Sequence, residues 1–311
     1  MIKTLVTSYS NPDLDGSACS FAYAEFLKKS SNINVIAGIF GKIHREALFV
    51  FNKFSIPKMQ DADKLRNLEN YNFVLVDASD LKGISRRVIP NKVIEVIDHR
   101  KINDSYMFQN SKVQIELVGS AATLIAEKFY NEKIDISKES SVLLYSAIIS
   151  NTINFKANVT TDRDRNMASF LKSKLDLPKD YAHDMFYFKS RFSTSLKETI
   201  IHDFAYFSFS DKSIGIAQLE IVDVDKFIKE NLSELNSILK NLKDDRKFDF
   251  IFLSCIDIES GFNVFLVIDD NSKSLVEDSL SVKFDNNLCK RPGIIMRKEI
   301  TPKLKDFLGV F

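Results

Sequence analysis

SYSNPDLDGSACSFAYAEF (residues 8–26) places two aspartates, Asp13 and Asp15, on either side of one leucine. They sit on a turn between two differently patterned runs. The run before them, IKTLVTS (2–8), is short, apolar and β-branched, which predicts a buried strand. The run after them, GSACSFAYAEFLKK (16–29), has helical spacing and an aspartate in position to cap it. A strand feeding a helix through a polar turn is the opening unit of an α/β fold. The aspartates have two readings: a helix cap, or ligands for a metal ion.

Outward from this stretch the alternation continues. INVIAGIF (33–40), FVLVD (73–77), VIEVID (93–98) and VQIELV (113–118) read as strands, and HREALFVFNKF (44–54) as a helix stopping before Pro57. Further helices are predicted at 120–133, 137–150 and 161–175, the last capped by Thr160 or Thr161. Strands alternating with helices imply a mainly parallel sheet flanked by helices. The pattern changes after FKSRFSTS (188–195), a polar, basic segment that suits a linker. Beyond it, strands at 204–210, 213–222, 248–257 and 262–270 surround one long amphipathic stretch, 223–243. Their hairpin-like spacing indicates a smaller mixed-sheet α/β domain. The expected organisation is therefore a domain at 1–187 and a second at 196–311.

Composition narrows the function classes. The 311 residues carry 43 Lys plus Arg against 42 Asp plus Glu, so no global field draws the chain to nucleic acid or an anionic membrane. The N-terminal apolar run is too short for a signal peptide or a membrane span. Three scattered cysteines, Cys19, Cys255 and Cys289, form no C-x-x-C pair and suit a reducing compartment. The expectation is a soluble, cytoplasmic protein.

Four polar clusters stand at or near the ends of apolar elements: Asp13 with Asp15, Asp77, Asp98-His99-Arg100, and Asn151. Taken singly, an Asp at a strand end caps the next helix or shapes a turn. In open α/β sheets, however, ligands bind beyond the carboxyl ends of the strands. Several carboxylates and an imidazole converging there would repel one another without a cation. An oxygen-rich Asp/His set suits Mn²⁺ or Mg²⁺ better than Zn²⁺.

The segments NPDLDGSA, LVDASD, VIDHR and SAIISNTINFKANVTTDRD resemble, in order and spacing, the motifs of the DHH phosphoesterase superfamily. Within it they are similar to the branch of manganese-dependent (family II) inorganic pyrophosphatases and related exopolyphosphatases. DMFYFKSRFSTSLKETIIHDFAYF, SIGIAQLEIVD and MRKEITPKL extend the resemblance through a DHHA2-like C-terminal domain, so it covers essentially the whole chain. The resemblance implies a two-domain hydrolase with its substrate clamped between the lobes. Its metals sit on the N-terminal lobe, and basic residues of the C-terminal lobe, here Arg297 and Lys298, bind phosphate. Two ions would activate a water and neutralise the leaving oxygen during in-line attack. The implied catalytic residues are Asp13, Asp15, Asp77 and His99, and the implied metal ligands are these four with Asn151.

The chain also departs from that pattern. Tyr9 stands where the family has a metal-binding His, Arg100 replaces the second His of the DHH triplet, and Asn151 replaces an Asp. A family lysine corresponds to Ala205, and only Arg297 and Lys298 remain of a longer closing basic run. One implied ion keeps Asp15, Asp77 and His99, with Asn151 offering a neutral oxygen. The other keeps only Asp13 and Asp77. One ion, Mn²⁺ or Mg²⁺, is therefore expected, without a firm second. Arg100 can hold a substrate phosphate through two parallel hydrogen bonds, or it can pair with Asp13 or Asp77 in a site that has lost its activity. His44 reads either as a replacement ligand or as an exposed helix-start residue.

Three functions follow. The first is a metal-dependent phosphohydrolase with a pyrophosphatase-like fold and an altered active site, hydrolysing a phosphoanhydride or phosphoester of a small phosphorylated substrate. The second is a non-catalytic binder of a phosphate or nucleotide ligand. The third is an oligonucleotide phosphodiesterase, against which stand a formal net charge of only +1 and the lack of aromatic–basic interleaving. The oligomeric state is open, with a homodimer as one option.

Overall fold

Lys3–Thr7 forms the first strand, β1, whose last four residues are buried. The structure, a computed structural model, describes residues 3–31, 33–100, 103–192, 194–209 and 211–309. Contacts divide the chain into two units, Met1–Met185 and Phe186–Phe311.

In the first unit β1 is followed by α1 (Leu14–Ser31), β2 (Val35–Ile39), α2 (Arg45–Lys53), β3 (Gln60–Asp61), β4 (Tyr71–Val76), β5 (Val93–Asp98) and β6 (Lys112–Ile115). Helices α3 (Ala121–Asn131), α4 (Lys138–Asn151) and α5 (Asp162–Lys172) complete it, and α6 (Tyr181–Ser190) runs across the division. The six strands run in the order β3-β2-β1-β4-β5-β6, and every pairing is parallel. The chain winds one way from β1 to β3, then restarts beside β1 at β4 and winds the other way. The crevice where order reverses therefore opens beyond the C-terminal ends of β1 and β4. Helix α1 packs against α3, α4 and the strands, and its small residues let it approach closely. Gly16 is one of these: a Cβ there would stand 2.4 Å from Ser8 Oγ. Leu5, Phe73, Leu75, Val93 and Val96 pack with residues of the connecting segments, among them Leu68, Ile84 and Phe108.

The second unit contains α7 (Leu196–His202), β7 (Phe204–Phe209), β8 (Lys212–Ile221), α8 (Val224–Arg246), β9 (Phe250–Asp257), β10 (Phe262–Val267), α9 (Asp270–Leu280), β11 (Leu288–Pro292) and α10 (Arg297–Phe307). Its sheet, ordered β11-β10-β9-β8-β7, is mixed: β8 and β9 are parallel and the other neighbours antiparallel. Alternate residues of β8 and β9 feed two cores. Ala217, Leu219, Ile251 and Leu253 pack with Leu235 and Leu239 of α8, while Ile214, Ile216 and Phe252 pack with Leu275 of α9 and Ile300 and Leu304 of α10. Both faces are covered, which is why these strands read as nearly continuous apolar runs.

The α/β class and the parallel-then-mixed pair of sheets agree with the sequence expectation. The polar segment 188–195 differs from its reading as a plain linker, because α6 runs on to Ser190 and contains the division between units. Tyr181, Met185 and Phe186 of that helix are buried.

Candidate metal centre

The turn at 8–13 resolves the two aspartates into different roles. Asp13 precedes α1, and its Oδ1 accepts the Gly16 amide at 3.0 Å, the geometry of a helix cap. Asp15 lies in the first turn of α1, fully buried, and faces inward. Its Oδ1 accepts from the Ala122 amide and its Oδ2 from the Ala121 amide, both at 2.9 Å. These amides open α3, where backbone donors have no intrahelical carbonyl and a helix welcomes negative charge; the Ala122 amide also reaches the Ser120 hydroxyl.

Asp77 follows β4 with φ of 52°, a left-handed conformation that Asp tolerates better than most residues. Its amide still donates to Ile97 O at 2.8 Å, so the ladder continues while the side chain is redirected. His99 follows β5. Asp98, the last residue of that strand, is buried and accepts from the His99 amide and from the Ser79 hydroxyl. Nδ1 of His99 lies 2.9 Å from Val118 O, which can only accept, so Nδ1 carries a hydrogen and Nε2 is the nitrogen that can offer a lone pair once it gives up its proton.

One ligand atom each from Asp15, Asp77 and His99 lies within 4.8 Å of the others, and no other such acidic, imidazole or thiol set occurs among the described residues. His99 Nε2 stands 3.5 Å from Asp77 Oδ1 and 3.9 Å from Asp15 Oδ2. Ligands bonded at about 2.1 Å to one hard cation stand about 3–4 Å apart, so the spacing fits an ion. Asp77 Oδ1 is buried and accepts no hydrogen bond, the kind of orphan that calls for an ion or an unseen partner. The donor set is therefore one that a divalent cation satisfies.

The electrostatics point the same way. Burial, then the charge of Asp15, raises the Asp77 carboxyl well above the ordinary range. Burial raises Asp15 as well, with Asp13 adding to it and His99 opposing. Burial works against a charged His99, but the Asp77 carboxylate outweighs it and the imidazole is pushed up to about 10. Such a cluster carries more negative charge than its surroundings can solvate.

The remaining residues flank the cluster. The Arg100 guanidinium lies over the Tyr9 ring at 5.3 Å, with Nη2 3.6 Å from Asp77 Oδ1 and Nη1 3.6 Å from Asp80 Oδ2. The Tyr9 hydroxyl accepts the Asp13 amide at 3.0 Å, and burial raises its pKa, so it stays a neutral phenol. Asn151, the last residue of α4, donates its amide nitrogen to Asp15 Oδ2 at 2.6 Å. That bond sets its side chain beside the trio. Asp13 is not one of the converging trio; its Oδ1 caps α1, and its charge acts on both Asp15 and Asp77. His44 is exposed at the start of α2, away from the trio. In the second unit, Arg297 is engaged by Asp203, with Nη2 2.6 Å from its Oδ1 and Nη1 2.8 Å from its carbonyl, while Lys298 is exposed. Sequence reading missed Asp80, Ser79, Cys19 (whose thiol lies 3.4 Å from Asp15 Oδ1) and the Ala121 and Ala122 amides. The small-residue run VGSAAT (118–123) was the available signal for the amides, since it lets backbone approach a ligand-bearing side chain.

Comparison with known proteins fits this geometry. The DHHA2 domain family model matches residues 183–307. A "Probable manganese-dependent inorganic pyrophosphatase" of Clostridium acetobutylicum is 30% identical over 309 residues, covering 96% of each chain. The chain belongs to the family of manganese-dependent inorganic pyrophosphatases. In this family the Bacillus subtilis "Manganese-dependent inorganic pyrophosphatase" is 27% identical, covering 99% of this chain and 100% of its own. A crystal structure from Methanococcus jannaschii, titled a "putative family II inorganic pyrophosphatase", superposes with a TM-score of 0.70 at 27% identity, covering 97% of this chain and 98% of that one. The structural likeness extends over both sheets. Among the described residues no helix is long and apolar enough to cross a membrane.

Proposed function

We propose that this chain is a metal-dependent phosphohydrolase with an altered active site, in which Asp15, Asp77 and His99 hold one Mn²⁺ or Mg²⁺ and Arg100 binds a substrate phosphate. The observation that carries the reading is Arg100 stacked on Tyr9 at the edge of the Asp15–Asp77–His99 trio. When bound, the ion supplies a Lewis acid that lowers the pKa of an attacking water and offsets charge on phosphorus oxygens. Asp15 is fixed by two backbone amides, and His99 by Val118 O, so the ligands are held before any substrate arrives. Asp13 caps α1 and adds negative field. Asn151 steadies Asp15. The Arg100 fork approaches Asp77 and Asp80 only at 3.6 Å, which leaves it able to turn toward a phosphate.

The relatives' names speak for pyrophosphate as their substrate. Here a guanidinium and one ion would leave the pocket less positive than two ions would, which favours a phosphoester or a less highly charged phosphoanhydride. Lys298 and Arg297 are proposed to bind phosphate. Three buried cysteines without disulfides fit a cytoplasmic location. The test is turnover with Mn²⁺ against pyrophosphate, polyphosphate, nucleotides and phosphomonoesters, alongside metal analysis. One ion per chain with phosphate release supports the reading, and two tightly held ions would overturn it.

A second reading has its own observation. Arg100 lies between two carboxylates, Asp77 and Asp80, and could serve there as a permanent counter-charge in a site that binds without turnover. Phosphate-ligand binding with no hydrolysis of any of these substrates would favour it.

A further inference from the structure

Asp164 is the third residue of α5, is 0% exposed, and touches none of the three metal-site side chains through any contact described above. Its Oδ2 accepts from the amide and hydroxyl of Thr161, both at 2.7 Å, closing a capping box on its own helix. That alone would not require burial. The capping box of α7, Ser195 with Glu198, makes the same bonds at the surface. Asp164 does more. The Gly119 amide donates to Oδ2 at 2.9 Å and to Oδ1 at 3.1 Å, and the Thr123 hydroxyl donates to Oδ1 at 2.6 Å. A buried carboxylate is costly to desolvate, and these donors, Gly119 ahead of α3 and Thr123 in its first turn, compensate it.

That same turn, 118–122, holds the metal site. Val118 O orients His99 through Nδ1, and the Ala121 and Ala122 amides grip both oxygens of Asp15. Gly119 allows the approach: a Cβ there would stand 2.9 Å from Asp164 Oδ2 and 2.6 Å from Thr152 Cγ2. One buried carboxylate thus pins the turn that sets two of the three converging side chains. We infer that Asp164 is a positioning residue of the metal site, fixing the 118–122 turn so that His99 and Asp15 stand at the spacing an ion needs. The inference rests on the metal reading proposed above.

The experiment is Mn²⁺ titration of the full chain, with the unbound ion followed by its paramagnetic resonance signal, for the parent, Asp164→Asn and Thr161→Ala. Asp164→Asn keeps the shape but turns an amide donor toward other donors. Its Mn²⁺ affinity is expected to fall roughly 10- to 100-fold, as when groups that orient ligands are lost. Thr161→Ala weakens the same helix cap while leaving the Gly119 and Thr123 bonds, and should stay within about twofold of the parent although its melting temperature drops. Parental affinity in Asp164→Asn, or an equal loss in Thr161→Ala, overturns the positioning role. If Asp164→Asn does not fold, Thr123→Val removes one donor to the same carboxylate; a several-fold loss supports the inference and an unchanged affinity overturns it. A parent that takes up no Mn²⁺ overturns the metal reading and this inference with it, whereas tight binding by both parent and Asp164→Asn defeats this inference alone.

Discussion

Asp77 stands where the two central strands and β5 meet, and its orphaned Oδ1 lies between His99 and Arg100. Replacing it with alanine removes the carboxylate shared by the trio and by the guanidinium. Asp77→Ala is expected to lose measurable Mn²⁺ uptake, read by metal analysis after gel filtration, while a folded far-ultraviolet spectrum persists. Arg100 separates the two functional readings. A charge-assisted hydrogen bond to phosphate contributes about 1.5–3 kcal/mol, or roughly ten- to a hundredfold in affinity. Arg100→Ala and Arg100→His should each weaken phosphate or nucleotide binding by that factor in calorimetric titration. Unchanged affinity in both variants would assign Arg100 to charge compensation of Asp77 and Asp80 only.

Helix α1 carries Asp15 in its first turn and is capped by Asp13, so whatever seats it also aims the site. Glu25, on its outer half, accepts from the Ser137 amide and hydroxyl at 2.9 and 2.6 Å, from the Ser140 hydroxyl and from Lys29 at 2.8 Å. It thereby ties α1 to the N-terminus of α4, the helix that ends at Asn151. Burial disfavours its charge, but the bonds from Lys29, Ser137 and Ser140 outweigh that and hold its pKa below the usual carboxylate value. A depressed folded pKa means the stabilisation is complete above the unfolded value, about 4.3, and is lost as pH falls through the folded one. Glu25→Gln should therefore cost about 1–3 kcal/mol at pH 7 in denaturant unfolding. The gap between parent and variant should close below about pH 4. A gap that stays constant with pH would show that the charge of Glu25 contributes nothing.

At the scale of the chain, the trio belongs wholly to the first unit, drawing on the β1–α1 turn and the ends of β4 and β5. An ion bound only by the folded state stabilises it by mass action, about 2.7 kcal/mol at a hundredfold excess over its dissociation constant. Saturating Mn²⁺ should raise the melting temperature of the parent and leave Asp77→Ala unmoved in calorimetry. A shift of equal size in both proteins would place the binding elsewhere.

Much of this was legible in the amino-acid order because it depends on local pattern. The β-branched runs, the helical spacing after Asp15 and the Thr161 cap each follow from neighbours a few residues apart, and they determine an α/β chain with acidic groups at strand ends. Several elements escaped for physical reasons. Helix α10 contains Pro302, which argues against a helix locally, and the segment from 188 looked like a linker although α6 continues to Ser190. The separation of Asp13 from Asp15 was not legible either, since both readings fit the same two residues. Only the folded chain brings Ala121 and Ala122, more than 100 residues away, to Asp15, and Asn151 to its other side. Which oxygen meets which donor is decided by where the parallel sheet puts its strand ends, because charge in a buried crevice is settled by contacts between segments distant in sequence.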